Sequence, residues 1–315
     1  MKRRGQLCCK WPFSGTTIVA RKALLEGIIK WAQRDQWQEL FDEFTMQHID
    51  NACDEMGIEP QDLADHLEPV EFSKLWNCVF EDLITADIDG LSLADDYLKR
   101  RGWKESAAAR VLIRALRQSV MSLYEVTGIR VGEGFFMRDL VRGGEPVWVH
   151  EKAGTHHANE LDIFAARLIA INGRTEIGGV TLIFERTRIG AVIDDLDNIA
   201  NATPEQLETA FVQLAREAGE PIDEEMREAF DVLKHGKAAM SADEVLGRSA
   251  FIFTEHWLCQ VLEKKLGRNR KSAEQASTKT MPAPANTQTE QQEEEAQYDL
   301  FGAVEPRKQA GGKRK

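Results

Sequence analysis

Residues 122–184 read SLYEVTGIRVGEGFFMRDLVRGGEPVWVHEKAGTHHANELDIFAARLIAINGRTEIGGVTLIF, and this stretch decides the fold. In it, short runs of β-branched and aromatic residues alternate with glycine-rich turns, a pattern typical of strands joined by tight connections. Asn172-Gly173 stands between two apolar runs, which is the strongest short hairpin signal. The stretch therefore predicts one small antiparallel sheet that curls into a partly open barrel. The predicted strands are Ser122–Ile129, Phe135–Val141, Pro146–His150, Ile163–Ile171 and Thr175–Phe184.

The chain on both sides of this sheet carries apolar residues at helical spacing. Trp31, Trp37 and Trp76 are expected to fill the helical core, because aromatic side chains supply much of the surface that a core buries. The predicted fold class is α+β, with helical layers around one small antiparallel, partly barrel-like sheet and a disordered C-terminal tail. The predicted helices are Thr16–Gln33, Trp37–Phe44, Phe72–Ile84, Glu105–Ser119, Arg188–Ala200, Thr203–Gly219, Asp223–Lys234 and Phe251–Leu266.

These patterns divide the chain into four parts. We predict a helical N-terminal region at 1–120, a small antiparallel β domain at 121–186, a helical C-terminal region at 187–267, and a disordered tail with a short linear motif at 268–315. The last boundary follows from Lys271–Ala296, where Ser, Ala, Thr, Pro, Gln and Glu predominate. Such a segment cannot bury enough apolar surface to offset the entropy that ordering costs.

The chain is acidic, with a formal net charge of −12, and the part before Leu266 carries −14 because the remainder is +2. An acidic surface repels phosphates, so direct nucleic-acid binding by the body is not expected. Five cysteines without a CxxC pair indicate reduced thiols. No apolar run is long enough for a signal peptide or a membrane span. We therefore predict a cytoplasmic protein without a membrane partner.

Two groups of polar residues resemble metal ligands. Asp87, Asp89, Gly90 and Ser92 resemble a fragment of a calcium loop between two helices, but the first and twelfth positions of that loop hold Thr and Asp where it needs Asp and Glu. Ser92 is therefore interpreted as the cap of the next helix.

His150, His156 and His157 form the second group, near Asp162, and they follow no ligand spacing that defines a metal site. The sequence also contains no nucleophile elbow, phosphate-binding glycine loop or HExxH motif. We predict no catalytic residue, no cofactor and no metal, and leave the question of enzymatic activity open. A metal-dependent hydrolase using Asp87, Asp89 and the three histidines remains an alternative.

Arg110, Arg114 and Arg117 form a basic stripe along one predicted helix. Such a stripe could contact a phosphate. The favoured interpretation is that it pairs with Asp and Glu side chains of a neighbouring helix.

The central stretch resembles an uncharacterised group of bacterial proteins. The likeness rests on SLYEV, on GxGxxxRDLxxGGEPVxVxE, on Leu161-Asp162, on AARL and on NGxxxxGG, and it covers Phe80–Phe184 with a weaker extension at Phe253–Leu266. The resemblance implies a helical region with a small sheet, sometimes beside a zinc-binding SEC-C module, and no known activity. This chain lacks the SEC-C cysteines, so the zinc chemistry is not carried over.

The tail contains a second resemblance. Gln297-Tyr298-Asp299-Leu300-Phe301 is similar to the pentapeptide QL[S/D]LF, through which bacterial replication and repair proteins dock on the sliding clamp. The resemblance implies that Gln297 bonds at the rim of the clamp pocket while Leu300 and Phe301 enter an apolar cleft. Tyr298 replaces the usual Leu, which puts the strength of docking in doubt.

We therefore predict a non-enzymatic accessory protein, tethered to the bacterial DNA sliding clamp through its tail and acting near DNA replication or repair. The basic end of the tail could follow DNA phosphates; its residues are Arg307, Lys308, Lys313, Arg314 and Lys315. The alternative is a cytoplasmic protein-interaction module whose sheet face, with Phe135, Phe136 and Trp148, holds another partner.

Overall fold

The structure is a computed structural model that describes residues 16–88, 90–203 and 240–278, with a few single positions between 206 and 213. The clamp-like motif at 297–301, Asp89, and most of the two helices predicted within 203–234 lie outside these residues.

Six helices precede the barrel and three follow it within the described residues. Three of them begin at a serine that caps the first turn, since the hydroxyl of Ser92 accepts from Asp95 N, that of Ser106 from Ala109 N, and that of Ser241 from Glu244 N. The helices are α1 Thr16–Ala32, α2 Asp35–Met56, α3 Leu63–His66, α4 Pro69–Thr85, α5 Leu93–Arg101, α6 Ala107–Arg117, α7 Ile189–Asn201, α8 Ala242–Leu246 and α9 Ala250–Thr278.

The five strands form a closed barrel in the order β1-β2-β3-β5-β4. They are β1 Met121–Arg130, β2 Gly134–Asp139, β3 Val147–His150, β4 Ile163–Ile171 and β5 Arg174–Phe184. The predicted α+β class and the Asn172-Gly173 hairpin between β4 and β5 are confirmed. The prediction of a purely antiparallel, partly open sheet needs correction, because β3 pairs with β5 in parallel and closes the barrel. This strand order, with a parallel pair between the third and fifth strands, is that of OB-type barrels.

The barrel has an apolar interior of its own, built from alternate residues of its strands. This interior consists of Tyr124, Val126, Phe135, Met137, Val149, Phe164, Ala166 and Ile177. A second and larger core lies between the barrel and the helices. Trp31 and Trp37 are buried in it, and Trp76 stacks on Phe41 with 4.8 Å between ring centroids, so the predicted tryptophan core is confirmed.

Helix α9 crosses the helical layer and contacts α2, α4, α7 and strand β5. It continues to Thr278, beyond Gly267, where the sequence predicts the disordered tail to begin at 268. The correction has a simple cause. A single glycine costs a helix about 1 kcal/mol relative to alanine, and the two arginines, lysine, glutamate, glutamine and two alanines that follow are good helix formers.

Candidate functional site

One outer face of the barrel, formed by β1, β2 and β3, carries a row of aromatic rings. Gly128 on β1 pairs with Phe136 on β2, which pairs with Trp148 on β3. A β-bulge in β1 places the extra residue Thr127 between Val126 and Gly128. The bulge changes the phase of the strand, so Val126 points into the barrel while Gly128 and Phe136 share the outer face. We call Arg130, Phe136, Arg138, Trp148 and Arg186 the barrel face.

The two rings lie against glycines of the neighbouring strand. A Cβ on Gly128 would meet Phe136 Cδ2 at 3.4 Å, and one on Gly134 would meet Trp148 Cζ2 at 2.9 Å. Both rings are half-buried, and their centroids are 4.9 Å apart. The missing side chains at Gly128 and Gly134 therefore let Phe136 and Trp148 rest close to the barrel surface.

Arginines stand on both sides of this aromatic pair. The guanidinium of Arg130 lies 5.1 Å from the centroid of Trp148 and 5.6 Å from that of Phe136, within cation–π range. On the other side, Arg138 Nη2 donates to Glu125 Oε2, and Arg186 Nη2 donates to Glu125 Oε1 at 2.8 Å. The arrangement is a cation, two aromatic rings, and two further cations.

Glu125 fixes the second pair of cations. Its carboxylate is 5% exposed, while the side chains of Arg138 and Arg186 are 49% and 60% exposed. The hydrogen bond from Arg186, followed by that from Arg138, lowers the pKa of Glu125, so this carboxyl stays ionised at neutral pH. Together the three groups carry one net positive charge, with both guanidiniums turned toward solvent.

Leu161 borders the same region in an unusual conformation. Its φ is +74°, in the left-handed region, and its side chain is 63% exposed. Its carbonyl accepts from Arg186 Nη2 at 3.0 Å, and its amide donates to Val126 O at 2.8 Å. A leucine in this region costs about 1–2 kcal/mol of backbone energy. Leu161 therefore keeps an exposed apolar side chain beside the barrel face, in a backbone conformation that leucine disfavours.

A second arginine cluster lies between β4 and the helices. Arg167 projects outward from β4 and is 1% exposed. Its Nη2 donates to Asp82 Oδ1 at 2.8 Å, its Nη1 donates to Ser119 O at 3.1 Å, and its Nε lies 3.8 Å from Glu81 Oε2. We call Arg167, Asp82, Glu81, His48 and Thr254 the buried network.

The network continues through Asp82 into the helical layer. His48 Nε2 lies 3.2 Å from Asp82 Oδ2, and His48 Nδ1 lies 2.9 Å from Thr254 Oγ1. Burial alone would raise the pKa of Asp82, but its hydrogen bond with His48 and the charge of Arg167 outweigh that effect and lower it. The network thus joins α2, α4, α9 and the barrel through hydrogen bonds between buried polar side chains.

Gly178 and Gly179, two adjacent glycines of β5, leave room beside the barrel wall for the side chains of the buried network. Residues 178–180 stand opposite Arg167 alone, because Ala166 pairs with Thr181 and Leu168 pairs with Ile177. A Cβ on Gly178 would meet Arg167 O at 3.2 Å, and one on Gly179 would meet Glu81 Oε1 at 2.1 Å. The Gly178-Gly179 pair therefore accommodates two charged side chains at the barrel wall.

The candidate metal ligands of the alternative hypothesis do not converge, as far as the structure describes them. Asp87 Oδ1 accepts from Gly90 N and Asp87 Oδ2 pairs with Arg117, while Ser92 caps α5 as interpreted from the sequence. His150 ends β3 beside the ring of Trp148, and His156 and His157 lie in the connection from β3 to β4. Within the part of the chain that the structure describes, no group of three His, Cys, Asp or Glu could hold a metal ion.

The basic stripe of α6 behaves in part as predicted. Arg117 Nη2 bonds to Asp87 and Nε to Asp95, so it pairs with acidic residues that flank α5 or lie within it. Arg110 instead donates to the carbonyl oxygens of Gly102 and Glu105. These two side chains hold the turns on either side of α5 together.

The sequence proposal for the sheet face requires one correction. Phe135 is 1% exposed and fills the barrel interior, whereas Phe136 and Trp148 lie on the outer face. Adjacent residues of a strand point to opposite sides, so only one of Phe135 and Phe136 can belong to a surface. The clamp-like residues lie beyond the described part of the chain.

A family of unknown function, DUF7986, matches the chain over residues 29–224. The chain belongs to this family. The DUF7986 match includes the whole barrel, its outer face and the buried network as far as Arg167, and it ends before α9 and the pentapeptide. Comparisons with curated proteins and with solved structures give no match. Among the described helices, none is long and apolar enough to span a membrane.

Several of these residues were not identified by motif. Arg167 had a usable signal, because it is the one charged residue in the otherwise apolar run Ile163–Ile171. Its partner Asp82 lies 85 positions away, and His48, which bonds to Asp82, lies 119 positions away, so these pairings could not be predicted. Arg130 could have been identified only from its pairing with Gly134, and that pairing depends on the register of β1 and β2, which the sequence does not show.

Proposed function

We propose that this protein is a non-enzymatic accessory protein of bacterial DNA replication or repair, tethered to the sliding clamp through Gln297-Tyr298-Asp299-Leu300-Phe301. The observation that carries the proposal is that pentapeptide, which places Leu300 and Phe301 in a polar segment of the chain. A short apolar motif in a polar segment suits docking that orders the segment only when it binds.

A labelled peptide spanning Glu290–Lys315 tests this proposal against a purified bacterial sliding clamp. We expect micromolar binding that is lost when Leu300→Ala and Phe301→Ala are combined, because the apolar cleft is then left unfilled. Tyr298→Leu serves as the matched change, since it restores the residue usual in such motifs and should tighten binding. Equal binding by the wild-type and doubly substituted peptides would contradict the proposal.

The same double substitution in the full chain separates tail from body. It should abolish clamp binding and leave thermal unfolding unchanged, because the described cores are built from residues before position 267. Undiminished clamp binding by this variant would mean that the body, and not the tail, contacts the clamp.

A second candidate function is favoured by the aromatic rings on the barrel face. In this case the protein is an interaction module that holds a further partner against Phe136 and Trp148, with or without the clamp. Both rings are half-buried and flanked by arginines, which is the composition of energetically important binding surfaces.

A further inference from the structure

We infer that the barrel face binds single-stranded nucleic acid, with bases stacked on Phe136 and Trp148 and phosphates held by Arg130, Arg138 and Arg186. This inference goes beyond clamp docking and does not rest on it. It departs from the expectation, drawn from net charge alone, that the body does not bind nucleic acid. The face and the pentapeptide are different parts of the chain, so one can fail without the other.

The geometry of the rings supports stacking. Phe136 and Trp148 lie side by side on adjacent strands, with centroids 4.9 Å apart. Each packs close to a glycine of the neighbouring strand, and both rings remain partly exposed. Every base has a flat face, so such rings bind single strands with little sequence preference. In a duplex the planes of the bases are covered by their neighbours in the stack. The barrel face is therefore suited to a single strand, whose bases are accessible.

The charges of the face fit a phosphate backbone. Arg130 lies on one side of the ring pair, and Arg138 and Arg186 lie on the other, so a strand crossing both rings meets a cation at each end. Glu125 neutralises only one of the last two and keeps both guanidiniums in place. Arginine binds phosphate well because its planar donors match phosphate oxygens in pairs.

The position of the face on the barrel agrees with this ligand. Barrels of this type bind oligonucleotides or oligosaccharides on the face of their second and third strands and through adjoining loops, and the arginines here favour the oligonucleotide. Here Phe136 is on β2, Trp148 is on β3, and Arg130 stands at the end of β1 where the β1–β2 turn begins. Fold alone does not establish function, and it is the rings and arginines of the barrel face that favour this ligand.

The acidic body limits the affinity. The part of the chain before Leu266 carries −14, and Glu133 is exposed in the turn beside Arg130. With two or three phosphates contacted, the logarithm of affinity should fall with the logarithm of salt with a slope of only about −1.5 to −2. Binding is thus expected to be dominated by stacking, and Glu133→Gln should tighten it.

The test measures fluorescence anisotropy of a labelled oligothymidylate, about 16 nucleotides long, with the full chain at low salt. Replacing Phe136 or Trp148 by Ala should weaken binding about 5- to 100-fold per ring. Trp148→Tyr keeps an aromatic ring and should therefore retain most of the affinity that Trp148→Ala loses. Trp103→Ala is the matched control, because Trp103 is 73% exposed beside Lys104 but lies in the turn after α5. It should leave affinity unchanged.

Two further ligands and one variant make the outcome decisive. An abasic oligomer of the same length offers the phosphates without bases and should bind much more weakly than oligothymidylate. Oligouridylate tests whether RNA is bound equally. Changing Lys313, Arg314 and Lys315 together to Gln tests the basic end of the tail, and combining Leu300→Ala with Phe301→Ala tests the clamp motif; both variants should retain binding.

Absence of oligothymidylate binding by the wild-type chain would overturn the inference, and a protein partner would then be the occupant to seek. Equal binding of the abasic oligomer, or loss of binding only in the tail variant, would also overturn it, because the phosphates and not the rings would then be recognised.

Discussion

Arg130 and Arg167 both project from the outside of the same barrel, but their surroundings differ in every respect. Arg167 is covered by helices and bonds to Asp82 and Ser119, whereas Arg130 is exposed and lies over two aromatic rings. A buried charge is costly unless it is paired, so the surroundings of Arg167 must be complete within the protein. The barrel face has cations and rings that remain available to a ligand. The comparison indicates that the first cluster holds the fold together, whereas the second leaves its cations and rings available to the ligand that we propose.

The largest effect should follow from breaking the buried network. Arg167→Met leaves the carboxylates of Asp82 and Glu81 buried without their cation, and we expect a loss of about 3–5 kcal/mol in the free energy of unfolding. Chemical denaturation measures it.

Arg138→Met is the matched control, because it removes a half-exposed arginine from Glu125, which keeps Arg186 as its second cation. Its cost should stay below about 1 kcal/mol. If both variants lost the same free energy, the distinction between the two clusters would fail.

A smaller loss of stability should follow from adding a side chain at Gly179, which lies against the buried network. The Cβ of Gly179→Ala would lie 2.1 Å from Glu81 Oε1, and the carboxylate cannot turn into solvent without leaving Arg167. We expect a loss of about 1–3 kcal/mol. Gly190→Ala, in α7, meets nothing within 4 Å and should be neutral or slightly stabilising. Thermal unfolding of the two variants side by side provides the comparison.

Glu255 shows what burial does to a carboxyl outside the buried network. Burial raises its pKa to about 7, partly offset by a hydrogen bond with Asn51, while that of Asp82 is lowered. Between the ordinary pKa near 4.5 and about 7 the folded state binds the extra proton, so Glu255 makes the protein less stable as pH rises through that window.

The isosteric variant Glu255→Gln removes this dependence. We expect it to match the wild type near pH 5 and to exceed it by about 1 kcal/mol at pH 8, after allowance for partial exposure. Denaturation curves at the two pH values measure the difference. A variant that is more stable than the wild type at pH 5 but not at pH 8 would contradict the expected direction.

The smallest effect concerns Leu161 beside the barrel face. Leu161→Gly removes the left-handed strain but adds freedom to the unfolded chain, so stability should change by no more than about 1 kcal/mol. Oligonucleotide binding should weaken severalfold if the exposed side chain contacts the ligand. Leu161→Ala keeps the strain and loses the side chain, and it should weaken binding to the same extent. A marked loss of stability in Leu161→Gly would show that the leucine serves the fold instead.

The strands were predictable because their signals are local. The run Ile163–Ile171 was predicted with the bounds that the structure has, and Asn172-Gly173 supplies the two positive φ values that its hairpin turn requires. The parallel pair of β3 with β5 was not predictable, because it joins strands separated along the chain by β4 and because barrel closure fixes it.

The candidate site was predictable only in composition. Phe136 and Trp148 stood out as aromatic residues of the sheet, but Phe135 was grouped with them because sequence does not show which of two neighbours points inward. Phe135 points inward together with Met137 because β2 alternates regularly, whereas the bulge at Thr127 changes the phase of β1 and places Gly128 opposite Phe136 on the outer face. The role of Arg130 depends on the same register.

The central claim is best tested by photocrosslinking the full chain to an oligothymidylate in which iodouracil replaces thymine, followed by mapping of the crosslinked residues. Iodouracil reacts with aromatic side chains on which it stacks. We predict crosslinks at Phe136 or Trp148 on the barrel face. Crosslinks confined to the helical layer around Trp103, or to the basic end of the tail, would contradict the account.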